Sequence, residues 1–133
     1  IDALYARIWI IDSLKIKPLE KTPHYRWIKD ILEHKDDSLS RAAYYEYSKT
    51  FFPEEDPDLQ LVNIKKMALA FKEQNDIHTA PIMTFPPFRM EVGSYHVVLC
   101  DGVHRSCIAK ILGKKFITCR IIEKENIRYT DFI

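Results

Sequence analysis

The chain has no long apolar run, no excess of one charge and no paired set of cysteines, and each absence excludes a class of protein. No hydrophobic stretch approaches the ~18 residues of a membrane span. Lysine and arginine number 20 against 19 aspartates and glutamates, a net charge of +1. Those charges are interleaved, without the basic excess or stripe of a nucleic-acid binder, so neither duplex DNA nor an anionic membrane is expected as the main partner. The three cysteines, Cys100, Cys107 and Cys119, sit within apolar runs. An odd number so placed argues against a disulfide framework and for a reducing, cytoplasmic location. Their spacings fit no common zinc pattern, and they read as small buried hydrophobes. There is no internal repeat and no low-complexity segment, and the opening Ile1-Asp2-Ala3 leads to the expectation of no signal peptide. The expectation is a single domain over residues 1–133, cut from a longer protein.

What is present is a chain of 133 residues, 47% of them hydrophobic, enough for one domain with a real core. Ala6 to Leu14 is rich in β-branched and aromatic residues and reads as a strand. Pro18, Glu20, Thr22 and Pro23 read as a loop leading into the polar-aromatic cluster His24-Tyr25-Arg26-Trp27, whose side chains either line a binding surface or anchor the loop. Ser40 to Phe52 reads as a helix broken by Pro53. Asp56 with Pro57 then starts a second helix, with Leu61, Ile64, Met67, Ala68 and Phe71 on its apolar face and Lys65, Lys66 and Lys72 on its solvated side. Strands follow at Pro81–Phe85 and Tyr95–Cys100, then a helix that stops at Leu112-Gly113. The order predicts an α+β domain, a small mixed sheet with helices packed mainly on one side.

The turn Asp101-Gly102-Val103-His104-Arg105-Ser106 concentrates the chemistry. Gly102 permits positive φ, and His104, Arg105 and Ser106 stand at a helix N-terminus, where the macrodipole favours anions. Asp101 should repel a phosphate unless a metal or a proton-donating hydroxyl lies between them. Two readings follow: a site that holds phosphate and acts beside it, or a turn whose Asp caps the helix and whose Arg pairs with it.

Asp101-Gly102-Val103-His104-Arg105, with Ala80-Pro81-Ile82-Met83-Thr84 before it and Lys115–Ile122 after it, resembles the signature of the ParB/sulfiredoxin-like superfamily over roughly half the chain. Ile8–Lys15 resembles the opening strand. Sulfiredoxins place a reactive cysteine where this chain has Val103, so a reductase reading loses its nucleophile. ParB-type partitioning proteins carry a Glu-Arg-Arg turn and continue into DNA-binding domains; the turn here reads Val103-His104-Arg105, and no such continuation is expected. Free-serine kinases of the same fold carry Asp-Gly-His-His-Arg, and Asp101, Gly102, His104 and Arg105 match four of those five positions. The resemblance implies a small-molecule kinase that uses ATP or ADP with Mg²⁺ to phosphorylate an amino acid or another hydroxylated metabolite. Asp101 and Glu20 would be the catalytic and metal-binding carboxylates. Gly102, His104, Arg105, Ser106 and Cys107 would hold the donor phosphates, partly through the Ser106 and Cys107 amides, and His24, Tyr25 and Arg26 would line the acceptor pocket. The alternative is a non-catalytic nucleotide-binding module of a larger ParB-like protein. A catalytic site would bring Glu20 within a few ångströms of Asp101; a binding module would leave Glu20 on the surface.

Overall fold

The computed structural model describes the backbone of residues 7–12, 15–75, 82–84, 89–91, 94–114, 117 and 119–121, with side chains over 18–75, 102–114, 117 and 120. The polypeptide leaves a short 3-10 turn, Leu19–Lys21, and enters helix α1, Pro23–Leu32. Thr22 sets this boundary. Its Oγ1 accepts from the Tyr25 amide at 3.1 Å and donates to the Leu19 carbonyl at 2.7 Å, and Pro23 takes the first helical position, where a missing N–H costs nothing. The cluster His24-Tyr25-Arg26-Trp27 is therefore helical, which corrects the loop expected there. His24, Trp27, Ile28, Ile31 and Leu32 form the buried face of α1 at the spacing of an amphipathic helix.

Helix α2, Ser38–Phe51, buries only Tyr44 and Ser48. Asp37 precedes it without capping it; that carboxylate instead accepts from Trp27 Nε1 at 3.0 Å, tying α2 to α1. Helix α3, Pro57–Gln74, starts where Asp56 Oδ1 accepts from the amides of Asp58 and Leu59, at 3.0 and 3.3 Å. Ile64 and Ala68 are buried, and Leu61, Met67 and Phe71 pack beside them. Lys65 and Lys66 are exposed. Lys72 departs from the solvated side expected for it, because its ammonium donates to the Leu32 carbonyl and lies 2.9 Å from His34 Nε2. A cation placed there closes the C-terminus of α1. Helix α4, Val103–Ile111, contributes Ser106, Cys107, Ile108 and Ala109 to the interior and ends ahead of Gly113, at φ 74°.

Among the described residues the core is mainly helix against helix: Leu19, Trp27, Ile28, Ile31, Leu32, Tyr44, Ile64, Ala68, Cys107 and Ile108 pack as one cluster. Among the residues described to their side chains, 74% are helical and 3% strand, with four helices and no sheet. This corrects the expectation of an α+β domain organised on a small mixed sheet. The physical reason is that, among the described residues, Trp27, Ile28, Cys107 and Ile108 are fully buried on helical faces and pack against one another across helices.

The strand segments are described by backbone alone. They are β1 Arg7–Asp12, β2 Lys15–Pro18, β3 Ile82–Thr84, β4 Arg89–Glu91, β5 Ser94–Asp101 and β6 Cys119–Ile121, paired in the order β2-β1-β5-β3-β6 with β4 beside β5. Their relevance to the site is one connection: β5 delivers Asp101 directly to Gly102 and the start of α4. No helix among the described residues is long and apolar enough to cross a membrane.

Candidate functional site

Gly102 opens α4 in the left-handed region, at φ 94° and ψ 27°, a conformation that a side chain makes costly. The first helical bond runs from the Ser106 amide to the Gly102 carbonyl at 2.9 Å. The Ser106 amide, one of the two expected to hold a phosphate, is thereby engaged within the helix. His104, the second residue of α4, joins the turn to the helices around it.

His104 meets two helices. Its Nε2 lies 2.8 Å from the Tyr44 hydroxyl on α2. Its ring stands edge-on to His24, with centroids 5.1 Å apart. His24 is itself the second residue of α1, so the N-termini of α1 and α4 converge on a pair of imidazoles. Both macrodipoles present their positive ends to that place. His24 is 5% exposed, packs edge-on against Tyr44 and Tyr47, and has no hydrogen-bond partner for Nδ1 among the described residues. Burial, then the neighbouring His104, pushes its pKa down from 6.5 to about 3, so this imidazole is neutral at pH 7.

Tyr44 is the residue that sequence reasoning missed. Buried, stacked on Trp27 at 4.9 Å and bonded to His104, it carries the α1–α2 packing into the turn. Burial first, then Tyr47, Glu55 and Cys107, pushes its phenol well above the usual range. In sequence it reads only as one of several aromatics on α2. Burial also pushes the Cys107 thiol far up, against a smaller opposing effect from Thr22. A fully buried thiol held protonated is a core group, as expected for this cysteine.

The remaining candidates are spread out. Tyr25 is half-buried on α1 and Arg26 is exposed. Ser106 is fully buried and its Oγ has no partner among the described residues. Glu20 lies in the 3-10 turn, exposed, with its carboxylate on the Lys110 ammonium. Lys110 is the eighth residue of α4, about 12 Å along the axis from Gly102. Glu20 is thus engaged near the far end of the helix whose start holds His104. The side chains of Asp101, Cys100 and Cys119 lie outside the described residues. Among the described residues, no group of three or more His, Cys, Asp or Glu is placed to hold a metal ion. A surface recess lined by Ile31, His34, Lys35, Asp37, Lys65 and Leu69 contains none of the candidate residues.

No family model, curated protein or solved structure matches the chain.

Proposed function

We propose that this protein binds a phosphate-bearing small molecule, a nucleotide, at the N-terminus of α4. The observation that carries the reading is the convergence of two helix N-termini on His24 and His104, with a buried His24 nitrogen that lacks a partner among the described residues. Two positive dipole ends favour an anion there, and an unsatisfied buried polar atom is a group that a ligand can satisfy. Arg105, the next residue of the turn, adds a guanidinium suited to phosphate. The likeness of Asp101-Gly102-Val103-His104-Arg105 to the ParB/sulfiredoxin-like signature supports the same ligand class.

The geometry favours binding over phosphoryl transfer. Glu20 would be the second carboxylate of a kinase, yet it is exposed and paired with Lys110. Titration calorimetry with ADP, with and without Mg²⁺, tests the proposal. The wild type binds, Arg105→Ala loses at least about tenfold in affinity, equivalent to ~1.4 kcal/mol, and Glu20→Gln binds as the wild type does. Equal ADP affinity for the wild type and Arg105→Ala would overturn it.

A further inference from the structure

The phosphate site has a neighbour that gives the rest of the ligand a place. Tyr44, Tyr47 and Phe51 recur at i, i+3 and i+7 on α2 and so share one face. The rings continue outward from the turn. His104 meets His24 at 5.1 Å, His24 meets Tyr47 at 4.7 Å, and Tyr47 meets Phe51 at 5.0 Å and Phe52 at 6.3 Å. The inner rings are buried or half-buried, whereas Phe51 and Phe52 are 45% and 41% exposed. Tyr44, which bonds His104, and Phe51 are about 10 Å apart along the helix axis, a span that a ribose phosphate bridges.

We infer that the exposed Phe51–Phe52 end of α2 is a base-stacking subsite, and that the ligand is a nucleotide with its phosphate at the start of α4 and its base against these rings. This rests on the phosphate site proposed above. Electrostatics fixes the polarity of the ligand. The phosphate end faces two helix N-termini, while the ring end lies at the C-terminus of α2, the negative end of its dipole. Glu55, whose amide donates to the Phe52 carbonyl at 3.1 Å, adds a carboxylate on the ring side. A phosphate is disfavoured there and an uncharged base is not. Aromatic faces accept any base, so the subsite selects for a base and not for one base in particular.

The experiment compares AMP with ribose 5-phosphate, which differ only by the base, on the wild type, Phe51→Ala and Phe51→Leu. The wild type binds AMP at least about tenfold more tightly, the scale of one stacked base. Both variants lose that preference and keep the affinity for ribose 5-phosphate; the leucine variant retains apolar packing on Tyr47, so its loss isolates the aromatic face. Ribose 5-phosphate binding with an undiminished AMP preference in both variants would overturn the subsite and leave the phosphate site standing. Failure of the wild type to bind either compound would overturn both.

Discussion

Mild acid should destabilise this protein through one imidazole. His24 is neutral in the folded chain because burial and His104 draw its pKa from 6.5 to about 3. In the unfolded chain the same ring protonates near its ordinary value. Between those two values the unfolded state binds the extra proton, so stability rises with pH. The contribution is complete above about pH 6.5 and is lost progressively as the pH falls toward 3. Each unit is worth about 1.4 kcal/mol, so lowering the pH from 7 to about 5 should remove roughly 2 kcal/mol. Urea unfolding at these two pH values reads the change directly. The window stays above the titration of Glu33 and Asp36, whose carboxyls are held low mainly by hydrogen bonds from Lys35 and Ser38. His24→Gln, which cannot titrate, should lower stability at pH 7 and flatten most of the slope. Parallel slopes for the wild type and His24→Gln would refute the reasoning.

Three further outcomes are expected. Gly102→Ala forces a side chain into the left-handed start of α4 and should cost ~1–2 kcal/mol in unfolding measurements, weakening phosphate binding as well. Thr22→Ala removes the cap of α1 and a buried hydroxyl bonded to Leu19; the expected loss is about 1–2 kcal/mol by urea denaturation. The Cys107 thiol, buried and protonated, should resist a thiol reagent in native protein and react on unfolding, a difference that mass spectrometry of labelled peptides resolves.

Local chemistry was readable in the sequence, and long-range partnership was not. Asp56-Pro57 announces α3, and Gly113 announces the end of α4, because a cap is decided by two or three adjacent residues. Thr22-Pro23 carries the same signature as Asp56-Pro57. Beside Pro18 it reads as a break, so the sequence pattern points to a loop where α1 begins. The fold class went wrong for a related reason. Among the described side chains the packed body depends on Trp27, Tyr44 and Ile108 meeting across separate helices, which no periodicity within one segment reveals; the β-branched runs do supply strands, at Arg7–Asp12 and Ser94–Asp101. At the site, His104 stands out because of its turn. Its partners do not: His24 is 80 residues away in the chain and Tyr44 is 60. Lys72 shows the same limit: it reads as a solvent-facing cation, yet it closes α1.

The central claim is that the start of α4 is an anion site, and amide chemical shifts test it most directly. Inorganic phosphate titrated into isotope-labelled protein, at constant ionic strength against sodium chloride, should move the amides of Gly102 to Ser106 and the ring resonances of His24 and His104 along saturable curves. Arg105→Ala should weaken those curves, and chloride should not reproduce them. Shifts confined to other surfaces, or none that saturate, would contradict the account.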